Sequence, residues 1–559
     1  MLNVERDRLT VETRTLKARF EAGGLVSLVS KPDGREFLVE AEARSKPALE
    51  LLYPNQGVSP LSGAPGDRAS CRRINALSAE YRFEAWHGDG VLTIAEDPET
   101  GDLVIEPSGY ASRPGLRACR WNLAGIVPGL KLVAPFFQGV MLDLEDPLVA
   151  GSRWAWPHSW EAGLAILQGR DGGLWVHCRD DRYRFKALHV GSDGSGVERR
   201  LGFETEPAGP LDRNLAAGGL SWRLNVYKGD WRAPAGGYRD WLRKAYQPCS
   251  PRPDWLEDIR FAVSWCPCEA GILEALAARL DPASVLLHVP RWRTDPYDEN
   301  YPTYRASAEG RQFIQRAQSA GFRVMPHMNS VDMDPTHPAY AYVRDFQYRE
   351  PVSKSVQGWT WIKGGSLPVP ESNAARLRHR ESKTMVKIHP GLAMWRSILT
   401  ENVAEAAEDL GLEAVFLDVT LCVWNTDNGI VEYQTTPEGM RRLIARTAGL
   451  GQGLVVGGEG RNEVIARDLS FAQVHLFRSW QSSLEGLERA GGCPLNEFLF
   501  AGMCRSFGYS RLDGSTPDSA LRMRTHVSLG AIPTVTIRSA NELTEPNGSV
   551  AEMLDLACT

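Results

Sequence analysis

Two acidic residues each follow an apolar run, in positions that suit paired acid–base chemistry. Asp418 comes directly after Ala414–Leu417, and Glu459 comes directly after Leu454–Gly458. Paired carboxylates at neighbouring strand ends can cleave a glycosidic bond, because one protonates the leaving oxygen while the other attacks the anomeric carbon or activates water. Glu463 competes with Glu459 for the acid role, and an ion-paired or helix-capping aspartate is the structural alternative for Asp418. The pattern therefore predicts an acid–base pair built on Asp418.

Neutral polar and aromatic side chains near other predicted strand ends are suited to bind a sugar. Sugar hydroxyls need neutral donors and acceptors, and an indole ring can stack on a pyranose face. Ordinary packing in the core is the alternative for each tryptophan and histidine, and Arg505 is equally suited to be a counter-ion for the carboxylates. The predicted substrate-binding residues are Trp265, Trp292, Asp295, His327, Asn329, His389, Trp424, Asn462 and Arg505, with Trp359, Trp361 and Trp480 as weaker stacking candidates.

A metal or cofactor site has less support in the sequence. His327, Asp332, Asp334, His337 and His389 offer ligand atoms, but the chain has no HExxH or HxH motif and no CxxC pair. No GxGxxG segment follows the first strand of the predicted barrel, and no GxSxG elbow marks a serine nucleophile. We therefore expect neither a metal nor a cofactor.

Strands and helices must position these side chains, and the spacing of apolar residues that indicates them changes along the chain. Residues 1 to about 235 form short alternating runs separated by turn signals, which predicts antiparallel strands. After a proline-marked passage at Pro248–Trp255, strand-like runs alternate with helical ones, as in a (β/α)8 barrel. An open doubly wound sheet is the alternative. We expect an N-terminal antiparallel β-supersandwich over 1–250 and a (β/α)8 TIM barrel, the catalytic domain, over 251–559.

Individual barrel elements follow from the same patterns. Apolar residues from Trp395 to Leu410 recur at the spacing of a helix that packs one face on a sheet. The carboxyl ends of barrel strands face the active site, so polar residues at those ends are the candidates for chemistry. The predicted strands are Ile259–Trp265, Val285–Val289, Phe322–His327, Ala414–Leu417, Leu454–Val456 and Ile532–Ile537, and the other predicted helices are Glu269–Leu280, Ala308–Ala320 and Pro437–Ala448.

Composition excludes several classes of partner. The 559 residues are 43% hydrophobic and 24% charged, with a formal net charge of −6, so nothing favours nucleic acid or an anionic membrane surface. The charged start of the chain has no apolar core of a leader, and the ten cysteines form no regular framework, which predicts a cytoplasmic protein. The 17 tryptophans suit both sugar faces and large cores.

A family resemblance adds to these patterns. The opening Leu9–Asp33 resembles the β-sandwich that precedes many α-glycosidase barrels, and Pro253–Ile259 resembles their entry into the barrel. The segment Ala317–Asn329 is similar to their third βα unit, and Leu410–Thr420 is similar to the nucleophile strand of retaining α-glycosidases. Within that group the pattern is most similar to α-N-acetylgalactosaminidases and endo-α-N-acetylgalactosaminidases, in which the acid lies on the strand after the nucleophile. α-Galactosidases fit less well, because their acid lies further along the barrel.

The resemblance implies a retaining double displacement with Asp418 as nucleophile and Glu459 as acid/base. The chain departs from the pattern because it lacks C-terminal β domains and an export signal, so we expect a small α-glycoside or oligosaccharide, such as an α-GalNAc or α-galactoside, rather than a polymer. A non-catalytic carbohydrate-binding protein on a degenerate glycosidase scaffold is the alternative. A lyase or epimerase site at His158, which lies among Trp154, Trp156 and Trp160, is a third possibility. Sugar identity and oligomeric state stay open.

Overall fold

A computed structural model of the chain describes all residues except 55–56, 63–65, 147–148, 193–196, 247–250, 364, 379–381, 452, 476–492, 509–518 and 559. The predicted stacking candidate Trp480 therefore lies outside the described residues, as does part of the proline-marked passage. The chain divides into two compact units. The first comprises Met1–Ala245 and Gln481–Leu499, and the second comprises Tyr246–Trp480 and Phe500–Thr559.

The first unit consists mainly of antiparallel strands, as the alternating runs predict. Strands β1 to β4 form a four-stranded sheet in chain order, and two larger sheets of ten and six strands have the orders β13-β12-β15-β16-β20-β10-β9-β8-β7, with β19 beside β10, and β14-β17-β18-β11-β5-β6. The strands are β1 Leu2–Glu5, β2 Arg8–Glu12, β3 Leu16–Glu21, β4 Gly24–Ser30, β5 Leu49–Leu52, β6 Val58–Pro60, β7 Arg68–Arg73, β8 Ser78–Ala85, β9 Gly88–Glu96, β10 Leu103–Ala111, β11 Ala118–Leu123, β12 Lys131–Ala134, β13 Val140–Asp143, β14 Arg153–Ala155, β15 Leu164–Gln168, β16 Gly172–Cys178, β17 Lys186–Ser192, β18 Val197–Thr205, β19 Ala216–Gly218 and β20 Trp222–Lys228.

Aromatic side chains join the two larger sheets face to face. The ring of Trp222 on β20 lies 5.1 Å from Phe203 on β18, and Trp160 stacks on Trp222 at 6.2 Å. Trp121 on β11 stacks on Phe203 at 5.4 Å. All four rings are buried. The predicted antiparallel sandwich is confirmed, and much of the tryptophan surplus belongs to its core.

The tryptophans around His158 belong to this core as well. Trp154, Trp156 and Trp160 are 0%, 2% and 0% exposed, and Trp154 packs 4.5 Å from Phe136. The indole rings that suggested a sugar site in the sandwich are therefore closed off by packing, and they give no support to a lyase or epimerase site there.

The second unit contains a parallel barrel and a smaller antiparallel sheet. The barrel has eight strands in the order β31-β30-β29-β28-β23-β22-β21-β32, and the smaller sheet has the order β24-β27-β25-β26. The strands are β21 Phe261–Ser264, β22 Val285–Val289, β23 Arg323–Asn329, β24 Asp332–Met333, β25 Gly358–Ile362, β26 Gly365–Leu367, β27 Thr384–Lys387, β28 Ala414–Asp418, β29 Val455–Glu459, β30 Phe471–Val474, β31 Arg505–Gly508 and β32 Thr534–Thr536.

The barrel is nearly closed, because its last strand returns to its first. β32 pairs with β21 in parallel, and just before β32 the backbone N–H of Ile532 donates to the carbonyl of Ser506 on β31 at 2.8 Å. The open doubly wound sheet is therefore excluded, and the predicted TIM barrel is confirmed. The strands β30 and β31 were not predicted from the sequence, because they are short and carry polar Gln473 and Ser506 in place of an apolar run.

Helices surround the barrel with local signals that explain their ends. Ser307 accepts a hydrogen bond from the N–H of Gly310 at the start of α5, and Thr435 and Glu438 form a capping box at the start of α9. Gly411 ends α8 with a φ of 60°, a conformation that favours glycine. The helices are α1 Glu40–Arg44, α2 Arg232–Ala245, α3 Trp255–Asp258, α4 Ala270–Ala277, α5 Ala308–Ser319, α6 Tyr340–Val343, α7 Asn373–Arg378, α8 Ala393–Leu410, α9 Thr436–Ala448, α10 Leu495–Leu499, α11 Ser519–Leu529, α12 Asn541–Thr544 and α13 Gly548–Ala557.

The smaller sheet lies in an insertion between barrel strands β23 and β28. It has its own apolar core, in which Met333, Val386 and Ile388 pack with Trp395 at the start of α8. The barrel register continues past the insertion, because Asn329 at the end of β23 lies opposite Asp418 at the end of β28. Among the described residues, no helix has the length and apolar composition needed to cross a membrane.

Candidate active site

Asp418 and Glu459 are the last residues of adjacent barrel strands. β28 and β29 pair in parallel with their ends in register, which places the two residues side by side. Both are buried, with exposed fractions of 6% and 5%. The Ser330 hydroxyl donates to the carbonyl of Asp418 at 2.7 Å, and the Thr420 hydroxyl donates to the carbonyl of Glu459 at 2.8 Å. Hydroxyl groups of neighbouring turns thus fix both strand ends.

The backbone turns sharply after two strands that border this pair. Trp265 follows β21 with a φ of 60°, and Val419 follows β28 with a φ of 54°. Residues other than glycine rarely adopt this region, and it costs about 1–3 kcal/mol each, with a β-branched residue such as valine fitting worst. The turn directs the N–H of Val419 towards both Asp418 and Glu459, where it favours the ionised form of each carboxyl group.

The two carboxyl groups differ in their proton affinity. The pKa of Asp418 is raised well above its ordinary value, first by burial and then by the negative charges of Glu459, Asp298 and Asp332. Burial also opposes ionisation of Glu459, but attraction to His475 and then to Lys387 outweighs it and lowers the pKa of Glu459. The pKa of Asp418 therefore lies above that of Glu459, and a proton shared by the pair favours Asp418.

Two histidines lie beneath Asp418 in the barrel. Nε2 of His288 on β22 lies 3.1 Å from Nδ1 of His327 on β23, and Nε2 of His327 lies 3.6 Å from Oδ2 of Asp418. Burial lowers the pKa of His288 to about 3, and burial followed by the charge of His288 lowers the pKa of His327 well below its ordinary value. Both rings are therefore neutral.

Aromatic side chains border Asp418 on the side of the loop after β22. The Tyr297 hydroxyl donates to Oδ2 of Asp418 at 3.4 Å. The ring of Trp265 lies 5.3 Å from Tyr297 and 5.8 Å from His327. Trp265 and Tyr297 are only partly buried, so part of each ring is accessible to a ligand. The structure thus brings the predicted residues Trp265 and His327 to the carboxylate pair.

The insertion contributes a buried ion pair to the same site. Nζ of Lys387 on β27 lies 2.9 Å from Oδ1 of Asp332 on β24, and Nδ2 of Asn329 donates to Oδ2 of Asp332 at 3.0 Å. Burial raises the pKa of Asp332 even though Lys387 opposes this shift, and attraction to Asp332 raises the pKa of Lys387 despite burial. Asn329 is therefore brought to the site, but its amide is engaged in holding Asp332.

Asp298 is a further acid of the site, on the loop after β22. Trp361 on β25 donates its indole N–H to Oδ2 of Asp298 at 2.7 Å. Oδ1 of Asp298 is buried and has no hydrogen-bond partner among the residues that the structure describes. Burial, followed by the charge of Asp332, raises the pKa of Asp298 to about 7. This carboxyl group is suited to exchange hydrogen bonds with a sugar hydroxyl, as donor or acceptor.

Four other predicted ligands, Trp292, His389, Trp424 and Asp295, have hydrogen bonds or cavity contacts of their own. Trp292 is 0% exposed and donates its indole N–H to the carbonyl of His327 at 2.9 Å, so it supports β23 from below. His389 is buried and accepts from the N–H of Gly391 at 3.0 Å, and Trp424 donates to Gln357 at 2.8 Å. Asp295, which is half-buried, lines a polar cavity of 410 Å³ with Glu299, Asp334 and Lys383.

Asn462 and Arg505 are engaged in hydrogen bonds with backbone groups. The side-chain oxygen of Asn462 accepts from the N–H groups of Val464 and Ile465, and so caps the turn that follows β29. Arg505 is the first residue of β31, at the opposite end of the barrel from Asp418, where it donates to the carbonyl of Ile259 at 2.9 Å. The structure therefore does not bring Arg505 to the site, because the sequence analysis placed it at the wrong end of a strand that it did not recognise.

The residues of the metal hypothesis are held by separate partners. Asp334 accepts from the N–H groups of Asn300 and Thr336, and His337 lies 3.1 Å from the Thr303 hydroxyl. His327, Asp332 and His389 have the contacts given above. Within the described ranges, no three His, Cys, Asp or Glu side chains are arranged to hold a metal ion.

Sequence analysis missed several residues that the fold brings to this site. His288 was a lone polar residue inside the apolar strand β22, a signal that was available but not used. His475 follows β30, which the sequence analysis did not recognise. Lys387, Tyr297 and Asp298 lie in the insertion and in a long loop, where no periodicity indicates which side chains point inwards.

The chain is similar to one family of sequences over part of its length, and to solved structures over nearly all of it. Residues 220–428 match a family described as a domain of unknown function, DUF6259. No curated protein matches the chain. Among solved structures, the chain is similar to the α-N-acetylgalactosaminidase NagBb from Bifidobacterium bifidum. Its Gal-NHAc-DNJ complex gives a TM-score of 0.68 at 12% identity over 98% of this chain and 92% of that chain, and its GalNAc complex gives 0.66 at 12% identity over 100% and 92%. The two chains share a fold.

Proposed function

We propose that this protein is a glycoside hydrolase that cleaves an α-linked glycoside with retention of configuration. Asp418 is the nucleophile and Glu459 is the acid/base. The observation that carries the proposal is the pair of buried carboxyl groups on adjacent barrel strand ends. One N–H group, that of Val419, faces both of them. This closeness favours the separation of about 5 Å found in retaining enzymes over the larger separation of inverting ones.

The reaction consists of two displacements at the anomeric carbon. A carboxylate oxygen of Asp418 attacks that carbon while the bond to the leaving oxygen breaks and Glu459 gives that oxygen its proton. Glu459 then takes a proton from water, the water oxygen bonds to the anomeric carbon, and Asp418 is released. Oδ1 of Asp418 is buried and has no hydrogen-bond partner among the described residues, so this oxygen is available for attack.

Substrate binding must move the proton within the pair. The pKa order of the unliganded pair favours the proton on Asp418, whereas the first displacement needs it on Glu459. Positive charge that develops at the anomeric carbon favours the anion of Asp418, because the two lie next to each other in a site with little water. Exchanged roles, with Glu459 as nucleophile, are the competing assignment, and the experiments below separate the two.

For the substrate we propose a small α-glycoside or oligosaccharide, either an α-N-acetylgalactosaminide or an α-galactoside. The support is the fold shared with a protein whose structures are described as holding GalNAc and Gal-NHAc-DNJ. Asp298, Tyr297 and Trp265 provide the neutral donor, acceptor and ring that a sugar requires. Neither a metal nor a cofactor takes part in the proposed reaction.

The first test is a panel of nitrophenyl α- and β-glycosides that includes the α-N-acetylgalactosaminide and the α-galactoside, with the anomer of the first-formed product followed by NMR. An α-anomeric product from an α-glycoside supports retention. Binding of a free sugar without turnover of any glycoside would favour the non-catalytic carbohydrate-binding alternative.

The second test assigns the two roles. Asp418→Ala should lose turnover of activated glycosides, and added azide should restore it with a glycosyl azide of inverted configuration, whereas Glu459→Ala should give the azide of retained configuration. Glu459→Gln should slow poor leaving groups far more than activated aryl glycosides. Glu463→Gln is the matched control, because that residue lies in the turn beyond β29. The inverted azide from the Glu459 variant would show that the roles are exchanged.

A further inference from the structure

A line of polar groups, joined by two hydrogen bonds and one longer polar contact, runs from the backbone of Trp265 to the carboxyl group of Asp418. The N–H of Trp265 donates to Nδ1 of His288 at 3.3 Å. Nε2 of His288 lies 3.1 Å from Nδ1 of His327, and Nε2 of His327 lies 3.6 Å from Oδ2 of Asp418. The line crosses three barrel strands, β21, β22 and β23, and reaches the end of a fourth, β28.

The direction of both hydrogen bonds in this line follows from its first member. A backbone N–H can only donate, so Nδ1 of His288 must accept, and in a neutral ring the proton of His288 is then on Nε2. That proton is donated to Nδ1 of His327. The proton of His327 is therefore on its own Nε2, which faces Asp418.

Packing keeps both rings neutral and in place. His288 and His327 are 0% and 1% exposed, and the ring of Phe416 lies 4.4 Å from His288 and 5.4 Å from His327. A charged imidazolium has little solvation in such surroundings, and the two rings would repel each other if both were charged. The indole N–H of Trp292 holds the carbonyl of His327 and so fixes the backbone below the ring.

We propose that His288 and His327 form a relay of fixed tautomers that points a neutral N–H group at Oδ2 of Asp418 and stabilises the ionised nucleophile. The proposal rests on the role of Asp418 proposed above. It makes His327 a positioning residue for the nucleophile, in place of the sugar ligand that the sequence predicted. His288 acts only through His327, because it sets which nitrogen of that ring carries the proton.

Other ionisable groups also act on this carboxyl group, and the test must allow for them. Tyr297 donates to the same oxygen, Oδ2, at 3.4 Å. Arg293 and His288 act on His327 itself. The ionisable groups that face Asp418 from the surrounding elements are Tyr297, Asp298, Tyr301 and Tyr304 from the loop after β22, His327 from β23, Asp332 from β24 and Glu459 from β29.

The activity test is the pH profile of kcat/KM in two variants of His327. His327→Phe keeps a ring but removes the N–H, and should raise the pKa of Asp418 further. Because Asp418 has the higher pKa of the pair, the alkaline limb of kcat/KM should then move up by about one pH unit, and the plateau should fall about tenfold, since fewer molecules hold the proton on Glu459. His327→Gln keeps an N–H donor and should leave the limb within a few tenths of a unit of the wild-type position. Equal positions of the limb in all three proteins would overturn the proposal, whatever the loss of activity.

A second test does not depend on activity. Neutron diffraction from crystals of the perdeuterated wild-type protein should show deuterium on Nε2 of His288 and on Nε2 of His327, and none on either Nδ1. Deuterium on Nδ1 of His327, or on both nitrogens of either ring, would overturn the relay. If the wild-type protein cleaves no glycoside, the proposed function fails, but the neutron result still decides whether the fixed tautomers exist.

Discussion

Nε2 of His475 lies 2.9 Å from Oε1 of Glu459, so the acid/base of the proposed pair has a close basic partner. The imidazole beside Asp418 lies farther from its carboxyl group, with Nε2 of His327 3.6 Å from Oδ2. His475 follows β30 directly, next to the strand that ends in Glu459. This difference in surroundings is what separates the proton affinities of two carboxyl groups that share one site.

Loss of the hydrogen bond between His475 and Glu459 should shift one limb of the pH profile of kcat/KM. Burial raises the pKa of Glu459 and His475 lowers it, so His475→Ala should raise that pKa by about one unit, the worth of a hydrogen bond to a charged group. Because Glu459 has the lower pKa of the pair, the acid limb of kcat/KM should move to higher pH. His475→Gln, which keeps an N–H donor, should show a smaller movement, and a limb that moves down would contradict the prediction.

Asp298 should make the fold less stable as the pH rises. Its pKa is about 7 in the folded protein and about 4 in an unfolded chain, so its contribution is fully present below pH 4 and is lost as the pH rises through 7. Asp298→Asn removes this loss. The variant should gain up to about 4 kcal/mol over the wild type between pH 4 and pH 8, measured by urea unfolding across that range.

A second variant, Trp361→Phe, tests whether the hydrogen bond to Asp298 influences this pH dependence of stability. The indole N–H of Trp361 favours the ionised form of Asp298, so its removal should raise the pKa of Asp298 further. The loss of stability should then continue to a higher pH than in the wild type. A stability curve parallel to that of the wild type would show that this hydrogen bond has no effect on the carboxyl group.

The ion pair between Lys387 and Asp332 should matter for stability because both side chains are buried. Lys387→Met leaves Asp332 without its cation and should lower the free energy of unfolding by about 3 kcal/mol. The double variant Lys387→Met with Asp332→Asn should recover part of this loss, because it buries no unpaired charge. Arg311→Met, at the exposed pair with Asp409, is the control and should leave urea unfolding unchanged.

Two adjacent glycines before Glu459 should differ in their tolerance of alanine. A Cβ on Gly458 would lie 2.5 Å from the hydroxyl oxygen of Thr420, which holds the carbonyl of Glu459, and 2.9 Å from Leu469. A Cβ on Gly457 would lie 2.4 Å from the sulfur of Met325, whose flexible side chain can move. Gly458→Ala should therefore cost about 1–3 kcal/mol and lower kcat, and Gly457→Ala should cost less in both measurements.

The fold could be predicted from the sequence because the spacing of apolar residues indicates strands in the first part of the chain and alternating strands and helices in the second. Most barrel strands end in runs such as Ala414–Leu417, and the change of period marks the start of the barrel. The strands β30 and β31 could not be found in this way, because each is short and its apolar run is interrupted by a polar residue, Gln473 in β30 and Ser506 in β31. Arg505 was misplaced for the same reason.

The site was less predictable than the fold. Asp418 and Glu459 could be named because an acid after an apolar run is visible in the sequence, and both end barrel strands in the structure. The groups that set their proton affinities, such as His475 and Lys387, come from distant parts of the chain. No spacing along the sequence reports that β27 of the insertion brings Lys387 to Asp332, since this depends on tertiary packing.

The insertion between β23 and β28 allows the surroundings of the site to change while the barrel strands keep their register. Asn329 and Asp418 remain opposite each other in the barrel although the insertion lies between them in the chain, and the insertion has its own apolar core. Substitutions in it can reshape the surroundings of Asp298 and Asp332 while the strands that carry Asp418 and Glu459 keep their register. Divergence in substrate preference among relatives of this chain should therefore accumulate in that segment first, with the carboxylate pair unchanged.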